Sequence, residues 1–290
     1  MSFRPAASLI ALAVTAAVAG PASSQTMLAR GEYLVKGIAG CGNCHDPRGG
    51  PAAGKPLAGG FALREEMFTA VAPNITPDPE TGIGKWTDAQ IEKAIREGVR
   101  PDGTIIGPPM PIELYRQMSD SDVKAIVAYI KTVPPVKNAV AKSEYKIPLP
   151  PSYGPPVGHV PDVPKTDKVA YGAYLAGPLG HCIECHTPMD KGRRQYSDHL
   201  GAGGQPFAGP WGVTVAANIT SDRATGIGSW TDAEIKTAIT SGVRPNGEKL
   251  RPPMAYELYK SVSAEDMDAI VAYLRTIRPL ANVVKEPAKK

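Results

Sequence analysis

The 290-residue chain predicts an all-α fold made of two tandem copies of one domain. Three observations predict it. The stretch TGIGKWTDAQIEKAIREGVRPDG, from Thr81, returns 144 residues later as TGIGSWTDAEIKTAITSGVRPNG, from Thr225. Apolar residues in each copy recur at helical spacing behind capping residues. All four cysteines fall in two equivalent stretches, IAGCGNCHDP and LGHCIECHTP. A period this long marks a duplicated domain, because solenoid repeats recur every 20–50 residues or so.

Taken in order, residues 1–24 are expected to be a cleaved signal peptide. They hold one arginine, an apolar run over 6–19, and small residues at Ala22 and Ser24 that suit processing before Gln25. The run is shorter than the roughly 20 residues of a membrane span, so the mature chain is expected in the periplasm without a span. A first domain is expected over 25–133. Its first helix, near 27–39, leads into Cys41. Thr87 and Gln90 form a capping box, Ile91, Ala94 and Ile95 share a face, and Gly98 closes that helix. Ser119 opens another with Val123, Ile126, Val127 and Ile130 on one side. Residues 134–165 hold nine prolines and no periodicity, which predicts an extended linker packed along both domains. The second domain, 166–282, repeats the plan. A helix near 167–178 precedes Cys182, Thr231 and Glu234 cap the next, and Ser263 opens a last one with Met267, Ile270, Val271 and Leu274. Upstream of His186 the offset is 141, as from Tyr33 to Tyr174, so three residues are added between His186 and Gly203. A polar tail, 283–290, ends the chain.

Basic residues number 32 and acidic ones 28, spread evenly. No basic stripe marks a nucleic-acid partner. Three or four helices in a copy of roughly a hundred residues make a thin core, so something besides protein is expected to complete it.

The cysteines say what. In Cys-x-x-Cys-His, positions i, i+3 and i+4 of a helical turn present two thiols and an imidazole to one object. A porphyrin suits that set: Cys41 and Cys44, or Cys182 and Cys185, form thioethers to its vinyl groups, and His45 or His186 binds iron. Two c-type haems are therefore expected. Structural zinc, a redox-active dithiol and plain disulfides are the competing uses. Zinc leaves the paired histidines unexplained, and the dithiol lacks its βαβ context. For a second axial ligand the candidates are His159, His181, His199 and the methionines. Only Met110 and Met254 are related by the 144 offset; Met67 falls opposite Trp211, Met118 opposite Val262 and Met267 opposite Val123. A His/Met pair closes the iron's coordination sphere, which points to one-electron transfer with no catalytic residue.

With these motifs in view, the chain resembles the class I cytochromes c. More closely, it looks like the multihaem cytochrome subunits of periplasmic dehydrogenases, such as those for alcohol, gluconate, aldehyde or nicotinate. GEYLVKGIAGCGNCHDPR, PNITPDPETGIGKWTDAQIEKAIREGVRPDG, PPMP and SDSDVKAIVAYI carry the resemblance, with their second copies, over about 27–280. It implies two class I domains, a dehydrogenase as electron donor, and an oxidase or another cytochrome as acceptor. It implies haem-pocket places for Trp86 and Trp230, and first-to-last-helix packing for Tyr129 and Tyr273. The family often has three haems and a C-terminal membrane anchor; here two motifs and no anchor are read. A dihaem enzyme of peroxidase or thiosulfate-oxidising type, or a free electron shuttle, are the alternatives. Asp46 stands where the second copy has Thr187, and Lys191, Arg193 and Arg194 follow the second site, so the second haem is expected to have the higher potential.

Overall fold

The computed structural model describes residues 1, 26–209 and 211–285. The expected signal peptide, apart from Met1, and residues 286–290 of the tail lie outside the described residues. In the first copy α1 spans Met27–Lys36, α2 Gly42–His45, α3 Asp88–Glu97, α4 Ile112–Tyr115 and α5 Asp120–Ile130. In the second, α6 spans Lys168–Tyr174 and runs into a π-helical turn, Leu175–Leu179; α7 is Cys182–Cys185, α8 Tyr196–His199, α9 Asp232–Ser241, α10 Tyr256–Tyr259 and α11 Ala264–Thr276.

Local chemistry fixes the helix ends. Thr87 and Gln90 exchange both capping-box hydrogen bonds at α3, and Thr231 and Glu234 do so at α9. Ser119 and Ser263 accept from the backbone N–H of Asp122 and Asp266. Gly98 and Gly242 terminate α3 and α9 in the left-handed region.

The first and last helices of each copy pack in pairs, α1 on α5 and α6 on α11. Both crossings need a glycine. A Cβ on Gly31 would lie 1.9 Å from the Ala125 carbonyl oxygen, and one on Gly172 would lie 1.9 Å from that of Ala269. Tyr129 and Tyr273 flank these contacts, in the first-to-last-helix packing that the resemblance implies. Leu34, Val35 and Ile38 meet Val123, Ile126 and Val127 on one side; Tyr171, Tyr174 and Leu175 meet Met267, Ile270 and Val271 on the other. These apolar residues form one continuous cluster through both copies.

Among the described residues helices outweigh strands, and the loops carry three small antiparallel sheets that the all-α expectation does not include. Strands β1 (Ala62–Arg64), β2 (Phe68–Val71) and β3 (Glu144–Tyr145) form one, β4 (Met189–Asp190) and β5 (Arg193–Arg194) a second, and β6 (Pro206–Gly209) and β7 (Gly212–Val215) a third. Strands of two to four residues are too short for alternation to show in sequence. The linker binds mainly the first copy. Beyond β3, Tyr145 and Tyr153 donate to the carbonyls of Pro108 and Ile106, and Arg96 donates to that of Gly158. Among the described residues the linker reaches the second copy near Lys165, which pairs with Glu265 and Asp266. No helix among the described residues is long and apolar enough to cross a membrane.

Candidate functional site

The chain that leaves α1 turns at once into α2. The N–H of Cys41 donates to Val35, and that of His45 donates to Cys41 at 2.9 Å, so Cys41, Cys44 and His45 occupy one helical turn. His186 N–H closes the matching turn on Cys182 at 3.1 Å. All four thiols are free.

Each imidazole is held by its other nitrogen. His45 Nδ1 lies 2.9 Å from the carbonyl oxygen of Pro73, and His186 Nδ1 lies 2.7 Å from that of Ala217. A carbonyl only accepts, so Nδ1 carries the hydrogen. Burial lowers the pKa of both rings, which keeps them neutral and leaves the Nε2 lone pair for a metal. The loops that carry these carbonyls are themselves pinned. Asn74, next to Pro73, accepts from the Thr76 N–H and hydroxyl and donates to the Val136 carbonyl at 2.7 Å; Asn218 repeats this with Thr220 and Leu280. Asn74 is thus a loop hydrogen-bonding residue and is buried.

Two glycines close the pocket from the backbone. Gly59 N–H donates to the His45 carbonyl and Gly203 N–H to that of His186, each at 2.7 Å. Both have positive φ, and a Cβ on either would lie 2.5 Å from the acceptor loop, at Pro73–Asn74 or at Ala217. Pro73, Ala217, Gly59 and Gly203 position the two histidines and are residues that motif reading passes over. Their relation by the 144 offset is the signal that finds them.

Burial pushes the Cys41 thiol up to about 12 and Cys182 up to about 11. Cys44 and Cys185 are raised for the same reason, with Glu184 adding to both. Neutral, unpaired thiols beside a free imidazole nitrogen are the opposite of the acidic thiolate in a redox-active pair. The donor set fits a haem held by two thioethers and a histidine.

Met110 and Met254 stand in Pro-rich loops just before α4 and α10, half-buried against the apolar core that Trp86 and Trp230 also border. The other methionines of the repeats differ: Met67 and Met189 are exposed, while Met118 and Met267 are fully packed in the core. His159 is exposed and bonded to Asp120, and His199 is exposed at the end of α8. His181 is half-buried, and its loss of solvent lowers it to about 4. Its ligand atom lies within 4.8 Å of those of Glu184 and Cys185. That cluster uses an attachment cysteine and belongs to the same site.

The two sites differ in charge. Asp46 accepts from the Leu57 N–H at 2.7 Å in the first, where Arg48 donates to the Asn43 carbonyl. In the second, Thr187 is buried and accepts from Gly201. Of the three basic residues expected to act there, Lys191 and Arg193 are exposed on the β4–β5 hairpin. Only Arg194 turns inward, donating to the Thr187 carbonyl at 2.9 Å. Burial raises Glu184, beside it, to about 7.

A model of the cytochrome c domain matches residues 28–134. The chain is 35% identical over 278 residues to the fructose dehydrogenase cytochrome subunit of Gluconobacter japonicus, covering 89% of this chain and 54% of that one. It is 35% identical over 235 residues to the cytochrome c subunit of the quinone alcohol dehydrogenase of Gluconobacter oxydans, covering 76% and 48%. It therefore spans about half the length of these dehydrogenase relatives. With a diheme cytochrome c-type protein of Cereibacter sphaeroides it shares 32% identity over 254 residues, covering 82% of each chain. Sharing that length with a cytochrome c, and a matched domain whose Cys-x-x-Cys-His turn is shaped for covalent c-type haem, the chain belongs to the cytochrome c family.

Proposed function

We propose that this chain is a periplasmic dihaem cytochrome c of two tandem domains, 25–133 and 166–282, that relays single electrons. Its donor is a dehydrogenase and its acceptor a terminal oxidase or another cytochrome. The observation that carries the count of two is the agreement of the sites atom for atom: a free thiol pair, a neutral imidazole with Nδ1 on a backbone carbonyl, and a glycine N–H on the histidine carbonyl, in both copies. The names of the dehydrogenase relatives support the donor.

When bound, each haem supplies a one-electron iron couple. The protein does the rest. Cys41 with Cys44, and Cys182 with Cys185, tether the two groups. His45 and His186 provide Nε2, oriented through Nδ1. Met110 and Met254 would supply a second ligand to each iron, and Trp86 and Trp230 would border the haems. With a histidine and a methionine taken up at each iron, a bound haem would have no open position for substrate, which would suit transfer rather than catalysis.

Intact mass tests this. The protein exported from a host that attaches c-type haem should exceed its polypeptide by two haems that acid–acetone does not extract. A mass equal to the bare chain, or to one haem, refutes the dihaem reading.

A further inference from the structure

The two copies meet through a reciprocal contact. Tyr33, on α1, donates its hydroxyl to Asp266 Oδ2 at 2.7 Å and accepts from the Ser263 N–H at 3.1 Å. Tyr174, on α6, donates to Asp122 Oδ2 at 2.7 Å and accepts from the Ser119 N–H at 3.1 Å. Tyr174 is the 141-offset counterpart of Tyr33; Asp266 and Ser263 are the 144-offset counterparts of Asp122 and Ser119. Each tyrosine thus leaves the first helix of its own copy and caps the last helix of the other. Both carboxylates are buried, Asp122 at 5% and Asp266 at 1% exposure. Arg30 joins them, with Nε 2.8 Å from Asp122 and Nη1 3.9 Å from Asp266.

This contact is continuous with both haem-attachment turns. The helix carrying Tyr33 runs into Cys41 through Gly37–Gly40, and the helix carrying Tyr174 runs into Cys182 through Leu175–His181. Those two connections touch. A Cβ on Gly180 would lie 2.9 Å from Ile38 Cδ1, one on Gly37 would lie 2.9 Å from Ser261 Oγ, and one on Gly40 would lie 3.3 Å from Leu258 Cδ1. The Tyr115 ring meets His181 edge-on at 6.1 Å. None of the clamp residues lies in an attachment turn, so their effect there is through position.

We propose that Tyr33, Tyr174, Asp122, Asp266 and Arg30 form a positioning clamp. It fixes the two attachment turns relative to each other so that an electron passes between the two sites inside one molecule. The inference rests on the dihaem reading. The step moves one electron from a ferrous to a ferric site and shifts no proton or ligand. Apolar packing by itself tolerates sliding. A buried carboxylate tolerates none, because any other register leaves it without its donors. A polar pair inside an otherwise apolar contact is the known means of fixing register.

The test uses the full-length holoprotein and the Tyr33→Phe/Tyr174→Phe variant. Haem content is read by mass, both potentials by titration, iron–iron separation by dipolar spectroscopy on the ferric protein, and electron equilibration after flash reduction of one site. In the unmodified protein, equilibration should be first-order and independent of concentration. Losing each hydroxyl–carboxylate bond should weaken the closed arrangement by about tenfold. The double variant should therefore keep two haems and both potentials, show a broadened separation, and equilibrate more slowly. Should it not fold, Tyr33→Phe and Tyr174→Phe singly should each give an intermediate slowing. Two haems with unchanged rate and separation in these variants overturn the clamp and leave the dihaem reading intact. Fewer than two haems in the unmodified protein overturns both.

Discussion

His45 and His186 show how little of an imidazole's readiness for a metal is decided by the side chain itself. Nε2 is available because Nδ1 is bound to Pro73 or Ala217, and those carbonyls are fixed by Asn74 and Asn218. The methionines carry the complementary test. Half-burial in a loop at equivalent places separates Met110 and Met254 from the core residues Met118 and Met267. Met110→Ala or Met254→Ala should each open one iron to carbon monoxide, seen as a new band in the reduced difference spectrum at half the total haem. If neither variant binds carbon monoxide, the sixth ligand is some other side chain.

At the scale of elements, the crossings of α1 with α5 and of α6 with α11 are the most tightly specified contacts. An added Cβ at Gly31 meets a backbone oxygen at 1.9 Å and the Cβ of Tyr129 at 2.7 Å, neither of which can swing aside. Gly31→Ala must part the helices and should destabilise the first copy by about 3 kcal/mol or more. Gly158→Ala is the control: nothing lies within 4 Å of its added Cβ, and its effect should stay within about 0.5 kcal/mol. Urea unfolding, followed by far-ultraviolet circular dichroism, compares the two. Equal midpoints refute the crossing argument.

Over the whole molecule the copies are related but not equally covered. The linker lies on the first copy, and Asp120 anchors it, with Oδ2 2.7 Å from His159 Nδ1 and Oδ1 2.7 Å from Arg96. The His159 and Arg96 partners hold the Asp120 carboxyl at about 2. A lowered folded-state value means that the stabilisation is complete above the ordinary carboxylate value of about 4 and is lost as pH falls toward 2. Asp120 is partly solvated, so the anchor contributes about 1 kcal/mol. Hydrogen exchange in 146–162 should rise between pH 4 and 2, and Asp120→Asn should show that higher exchange already at pH 7. Identical exchange in the variant at pH 7 removes Asp120 as the anchor.

Much of this protein is legible in the sequence because it is local or periodic. The helical turns at the two Cys-x-x-Cys-His motifs need only i, i+3 and i+4, and the caps at Thr87, Thr231, Ser119 and Ser263 need only neighbours three residues away. Pairings across long separations leave no such trace. That Pro73 and Ala217 orient the histidines, that the linker follows the first copy, and that Tyr33 reaches Asp266 while Tyr174 reaches Asp122 depend on how the helices dock. Tyrosine on an amphipathic helix suits a core or a surface equally well. Only burial beside a carboxylate of the other copy, where an unpaired charge is costly, gives it a single place.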